Sequence, residues 1–303
     1  MSDAQDTNNM DPELAGLLDL LRLERLENNV FRGQSHDIGT PQVFGGQVLG
    51  QALYAAGQTV EGRMPHSLHA YFLRRGDVKA PIIYEVDRSR DGASFSSRRV
   101  VAIQNDRAIF NLAASFQRPE SGIEHQAAMP DVAGPEGLAD RSEVDPEVLV
   151  QLHEKMQAYL IRKRPFLVRP LHQADLLKPE KIDPVKYVWI KAVDTLPDDP
   201  LLHQALFAYV SDYELLGTAT LPHEINFTDG NIQMASLDHA IWFHHSFRVD
   251  EWLLFSFDSP STSGSRGLAR AMVFTREGKL VASTAQEGLI RVRTESGGPL
   301  HVR

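Results

Sequence analysis

The chain of 303 residues contains no cysteine. That absence removes disulfides, thiolate metal sites and a cysteine nucleophile together. Basic residues are outnumbered: 31 Lys and Arg face 40 Asp and Glu, for a net charge of −9. Neutralising a nucleic-acid backbone takes a basic footprint, so no nucleic-acid partner is expected. A local basic pocket for one phosphorylated small molecule stays compatible with this balance. No stretch approaches the ~20 apolar residues needed to cross a bilayer, and no membrane span is expected. The start is polar and acidic, without the basic-then-apolar pattern of a signal peptide. The final His301-Val302-Arg303 is not a peroxisomal tripeptide. A cytoplasmic location is the default expectation. G-x-S-x-G is absent, which disfavours a serine hydrolase of the α/β type, and neither a P-loop nor G-x-G-x-x-G occurs.

What is present suits a packed protein. Hydrophobic residues make up 42% and charged residues 23%, enough for a core in two domains of ~150 residues or one large one. Residues 1–10 and 294–303 read as tails. Asp11-Pro12 predicts a capped helix with Leu14, Leu17, Leu18 and Leu21 on one face, and 29–34 a short strand. Gly45-Gly46 then opens a helical face of Val48, Ala52, Ala55, Ala56 and Val60. Its small residues would let a sheet or ligand approach closely, and bare N–H groups at its start can hold an anionic or polarised oxygen; a plain tight turn explains the glycines equally well.

Four half-buried, alternating runs follow at 66–74, 81–89, 94–104 and 107–117. Their short turns (R-G-D, D-G-A, N-D) imply antiparallel hairpins. Residues 118–146 are rich in Pro, Gly and acids and read as a linker. An amphipathic helix over 147–163 and a strand over 185–192 come next. The helix over 202–216 is followed by a longer loop, 217–231, and by strand-like runs at 233–247, 251–257, 267–275 and 279–292.

The two halves share one order: strand, helix, four strands. They also share letters. Q-A-L-Y-A-A-G-Q-T (51–59) lies over Q-A-L-F-A-Y-V-S-D (204–212), S-L-H-A-Y-F (67–72) over S-L-D-H-A-I-W-F (236–243), and R-A-I-F-N-L-A-A-S (107–115) over K-L-V-A-S-T-A-Q-E (279–287). A repeat this long is a duplicated domain. The expected architecture is α+β: two fused units, each a long helix against an antiparallel sheet, with an N-terminal repeat at 1–118, a linker with a helix at 119–184 and a C-terminal repeat at 185–303.

Asp212 lies on the apolar stripe of the second helix, in line with Leu202, Ala205, Tyr209 and Leu216. A carboxylate aimed into a core is costly unless it is hydrogen-bonded, paired or used. Taken alone it reads as a structural Asp satisfied by its neighbours. Against the repeat it reads differently. Asp212 stands opposite Thr59, Gln286 opposite Ala114, and Ser236 opposite Ser67. Polar groups that the common scaffold does without occur in the second copy, which suits a single working site there.

F-G-G-Q-V-L-G-Q-A-L in one half and A-Y-V-S-D in the other, with D-H-A-I-W-F-H, E-W-L-L, S-G-S-R-G-L-A-R and A-S-T-A-Q-E-G in order, resemble the acyl-CoA thioesterase II (TesB-like) family over about residues 28–292. The resemblance implies a double hotdog fold and hydrolysis of medium- or long-chain fatty acyl-CoA, without a cofactor. It places catalysis on Asp212, Ser236 and Gln286. Many relatives carry Thr at the middle position; Ser236 keeps the hydroxyl and loses the methyl that stiffens its rotamer. The residue types fit independently. A half-buried Asp can accept a proton from water, while Gln286 and Ser236 can hold the water or the carboxylate without adding charge. Direct attack by Asp212 to give an anhydride is a second route.

Two further readings stand beside thioester hydrolysis. One is a hydratase or dehydratase of acyl thioesters, whose support is the Asp238-His239 pair. The other is a non-catalytic acyl-CoA-binding protein. His239, His244 and His245 read as strand-packing residues, since neighbours on a strand diverge, and no metal is expected. Arg74, Arg75, Arg98, Arg99, Arg266 and Arg270 sit near turns or strand ends. Most read as solvated, and a few could hold coenzyme A phosphates. Free sheet edges make a homodimer or tetramer the expected assembly.

Overall fold

A computed structural model describes residues 10–40, 42–173, 175–225 and 232–293. The expected tails, apart from Met10, and residues 226–231 of the expected loop lie outside it.

The first helix, α1 (Pro12–Leu21), begins as its sequence predicts: the Asp11 carboxylate accepts from the Glu13 and Leu14 N–H groups, and Leu14, Leu17, Leu18 and Leu21 are buried. Where one short strand is expected over 29–34, a hairpin forms from β1 (Glu24–Glu27) and β2 (Val30–Gly33). The first repeat continues with α2 (Gly45–Gly57), β3 (Met64–Phe72), β4 (Ile82–Asp91), β5 (Phe95–Gln104) and β6 (Arg107–Gln117). Asn105 and Asp106, both at positive φ, make the β5–β6 turn that their sequence predicts.

The helix expected over 147–163 is instead two pieces, α3 (Pro146–Leu149) and α4 (Glu154–Ile161). Each has its own N-cap, Asp145 and His153, and these local hydrogen bonds win over a continuous helix. The extended piece after it is β7 (Phe166–Pro170), followed by β8 (Val185–Ala192), α5 (Pro200–Ser211) and the short α6 (Leu215–Thr218). The run expected at 233–247 divides at Leu237 into β9 (Ile232–Ser236) and β10 (Asp238–Phe243). β11 (Leu253–Ser263), β12 (Arg266–Thr275) and β13 (Leu280–Val292) complete the chain.

Every pairing is antiparallel, in the order β1-β2-β4-β5-β6-β3-β10-β13-β12-β11-β8-β7, with β9 on the far end of β13. The halves join where β3 pairs with β10, Leu68 opposite Ile241. This is the double hotdog. Helix α2 packs on β3–β6, and Phe207 of α5 packs on Phe243 of β10 and Phe255 of β11.

The glycines Gly46 and Gly50 of α2 receive α5, while other parts of the helix meet the sheet. A Cβ at Gly46 would stand 2.2 Å from the Tyr209 carbonyl oxygen, and one at Gly50 would stand 2.8 Å from that of Ala205. The helices therefore run antiparallel in backbone contact, and the start of α2 meets the end of α5.

The linker crosses the outside of the second half. Trp189 donates its indole N–H to the Ala133 carbonyl and packs with Leu254 and Phe274 under Met129, Val132 and Leu138. No described helix is long and apolar enough to cross a membrane.

Candidate active site

The helix carrying Asp212 is shorter than its pattern predicts. It ends at Ser211, and Asp212 is its C-cap at φ −82°, ψ −1°. Leu216, expected on the same stripe, belongs to α6 and lines the adjoining cavity. The break turns Asp212 off the end of α5 toward the start of α2. There the Gly46 N–H donates to its carboxylate, and a Cβ on Gly45 would lie 2.7 Å from Asp212 Oδ2. The Gly45-Gly46 pair thus holds an anionic oxygen at a helix start, and that oxygen belongs to the protein itself.

Ser236 ends β9 and Gln286 lies in β13, whose far end pairs with β9. The structure brings the expected residues together. Gln286 Nε2 donates to Asp212 Oδ1 at 2.5 Å and to Ser236 Oγ at 3.1 Å, and the Ser236 hydroxyl hydrogen-bonds to Asp212. The Asp212 side chain is 5% exposed. Burial pushes its pKa up to about 6, against the downward pull of hydrogen bonds from Gln286, Gly46 and Ser236. A carboxyl so placed is ionised near neutral pH and basic enough to take a proton there.

His239 is part of this cluster, and its sequence reading as a packing residue misses that. Its Nε2 is 2.9 Å from Ser211 Oγ, its Nδ1 is 3.2 Å from Gln286 Nε2, and its side chain is fully buried. Asp238 points elsewhere, accepting from the Glu287 N–H at 2.6 Å. The Asp238-His239 pair therefore does not converge on one site. Among the described residues no His, Asp or Glu cluster could hold a metal ion.

The corresponding place in the first half is filled. Arg98, 1% exposed, stands across β5–β6 from Ala114, as Ala269 stands across β12–β13 from Gln286. Its guanidinium donates to Thr59 Oγ1 at 2.8 Å, to the Thr59 carbonyl and to Asp91. One half keeps a carboxylate site, and the other holds a cation at the matching point.

Asp212, Ser236 and Gln286 line one wall of a 1580 Å³ cavity. Leu17 and Leu20 of α1, Leu160, Val168 and Met234 contribute to its apolar lining, and linker residues between Asp131 and Ile182 line it as well. Its cations are Arg141, Arg162, Lys163, Arg164 and Lys186. None of these is among the arginines singled out in the sequence, of which Arg98 is buried in the first half while Arg266 and Arg270 pair with Glu287 and Asp258 at exposed positions. Lys186 and Arg141 both pair with the buried Glu214, two residues beyond Asp212. Burial, with the Arg141 charge beside it, holds the Lys186 pKa well below its usual range.

A double hotdog whose large cavity is walled in part by the buried carboxylates Asp212 and Glu214 places the chain among the hotdog proteins. Residues 32–117 match the model of the acyl-CoA thioesterase N-terminal domain, and residues 157–289 match that of acyl-CoA thioesterase. Acyl-CoA thioesterase 2 of Haemophilus influenzae is 43% identical over 92% of this chain and 98% of its own. Acyl-coenzyme A thioesterase 8 of Mus musculus is 41% identical over 91% and 89%. The crystal structure of the acyl-CoA thioesterase II TesB2 from Mycobacterium marinum superposes with a TM-score of 0.76 at 41% identity, covering 92% of this chain and 99% of that one. The chain belongs to the acyl-CoA thioesterase family.

Proposed function

We propose that this protein hydrolyses medium- and long-chain fatty acyl-CoA to free fatty acid and coenzyme A, and that the C-terminal repeat, residues 185–303, carries the catalytic groups. The observation that carries this reading is the Asp212 carboxylate, buried yet lining the cavity and hydrogen-bonded by Gln286, Ser236 and Gly46. The cavity exceeds the ~300–1,000 Å³ of pockets that take drug-sized ligands, which suits a long acyl chain with the pantetheine arm. The names of the relatives point to the same reaction.

In the proposed mechanism Asp212 takes a proton from a water that Gln286 and Ser236 hold, and the hydroxide attacks the thioester carbonyl. The tetrahedral intermediate collapses with breakage of the C–S bond, and the proton held on Asp212 leaves with the thiolate. Direct attack by Asp212 to give an anhydride is the alternative route. We also propose a homo-oligomer, a dimer or tetramer, because β1 and β7 end the sheet with unpaired edges among the described residues.

Thiol release measured across a series of acyl lengths tests the reading. Wild type releases thiol, and Asp212→Asn loses ~10²–10⁴-fold in kcat, the usual worth of a general base. Full activity in that variant removes the assignment. Loss of enoyl-CoA absorbance without free thiol would instead make the protein a hydratase, and acyl-CoA binding without turnover would make it a binding protein.

A further inference from the structure

Gln286 has one oxygen and one nitrogen to place, and their order decides what the Asp212 carboxylate meets. Its Nε2 carries two hydrogens and has three polar neighbours: Asp212 Oδ1 at 2.5 Å, Ser236 Oγ at 3.1 Å and His239 Nδ1 at 3.2 Å. Its Oε1 is buried with no hydrogen-bond partner in the protein. Turned over, the amide would set Oε1 against the Asp212 carboxylate, acceptor against acceptor. The observed orientation therefore favours a neighbour that accepts at the His239 position and excludes one that donates.

Ser211 provides for that. Its hydroxyl donates to the Ala208 carbonyl at 3.0 Å. A hydroxyl carries one hydrogen, so in its 2.9 Å contact with His239 Nε2 Ser211 accepts. The imidazole must then carry its proton on Nε2, leaving Nδ1 as a bare lone pair toward Gln286. Burial keeps the ring neutral, with a pKa pushed down to about 3, so no second proton reaches Nδ1 in the working pH range. Neither Ser211 nor His239 lines the cavity.

We infer that Ser211 and His239 are positioning residues: by holding the Nε2–H tautomer they lock the Gln286 amide with its nitrogen on Asp212 and Ser236. This rests on the proposed roles of Asp212 and Gln286 in thioester hydrolysis. Without the Ser211 acceptor the imidazole proton moves to Nδ1 and faces Gln286, the amide turns over, and Asp212 loses a donor. The groups acting on Asp212 are then burial, the Gly46 N–H and the Ser236 hydroxyl, with neutral His239 3.9 Å away.

The test uses the full-length chain and compares Ser211→Ala, His239→Leu, His239→Asn and Asp212→Asn in thiol release over pH, with thermal midpoints measured beside it. Ser211→Ala and His239→Leu are expected to lower kcat about tenfold with KM little changed. The acid limb of kcat/KM should move up by about one pH unit, because a charge-assisted hydrogen bond to the carboxylate is lost. His239→Asn keeps an acceptor oxygen near the Nδ1 position and should retain the wild-type limb and most of kcat. A wild-type acid limb in folded Ser211→Ala overturns the inference, as does His239→Asn behaving like His239→Leu. Should His239→Leu fail to fold, Ser211→Ala, which removes one oxygen, decides alone. Wild-type turnover in Asp212→Asn would sink the hydrolase reading itself, whereas a dead Asp212→Asn beside unaffected Ser211 and His239 variants sinks this inference alone.

Discussion

Replacing Asp212 by Asn separates the proposed chemical role of the carboxylate from what it does to the fold. Burial raises its pKa from an ordinary 3.8 to about 6. At ~1.36 kcal/mol per pH unit, that rise means the native state disfavours the ionised form by ~3 kcal/mol. Below pH 4 the carboxyl is protonated in folded and unfolded chains alike, and no penalty applies. Between about pH 4 and 6 the unfolded chain ionises first, so stability falls as pH rises. Above pH 6 the full penalty is present. Asparagine carries no charge to desolvate, and the hydrogen bonds from Gln286, Gly46 and Ser236 are already counted in that rise, because they pull the pKa down. Asp212→Asn should therefore be more stable than wild type by ~1–3 kcal/mol at pH 8, a rise of a few degrees in thermal midpoint for a chain of this size, with the gain gone at pH 4. Urea or thermal unfolding of both proteins at the two pH values reads it directly. A difference that does not depend on pH, or a variant less stable at pH 8, would refute the idea that the fold bears the cost of a buried base.

Three more outcomes follow from the geometry. The kcat/KM profile for thiol release should lose activity on the acid side with a midpoint near pH 6, since protonated Asp212 cannot accept from water; a limb near pH 4 would contradict the burial. Gly46→Ala drives a Cβ to 2.2 Å from the Tyr209 carbonyl oxygen and should cost ~1–3 kcal/mol in unfolding free energy together with most of the activity. Arg98→Met removes the cation of the first half, with its bonds to Thr59 and Asp91. It should destabilise by ~2–4 kcal/mol while leaving KM for acyl-CoA within about twofold, because Arg98 is no part of the cavity wall; a large change in KM would show that the two halves are coupled.

Much of this protein is legible in one dimension. The alternating runs at 94–104, 107–117 and 185–192 become β5, β6 and β8 within a residue, because burial of one sheet face imposes a period of two on the side chains. Asp11-Pro12 predicts its own cap, since that hydrogen bond spans three residues. The repeat isolates Asp212 because a duplicated scaffold gives each position an internal control. Longer-range contacts escape this reading. The end of α5 at Ser211 lets Asp212 turn off the helix toward Gly46, far away in the chain, and no local pattern encodes that meeting. Nor does any spacing show that Arg98 fills the first half's matching site.

Sequence alone determined the duplicated α+β architecture, the antiparallel hairpins and the carboxylate out of keeping with its apolar stripe, each of them a matter of local period or internal comparison. Tertiary structure decided which neighbours that carboxylate has, how far its pKa rises, and that a histidine from the adjoining strand stands behind its glutamine. Those properties depend on desolvation and on distances between residues far apart in the chain, and only the folded backbone sets them.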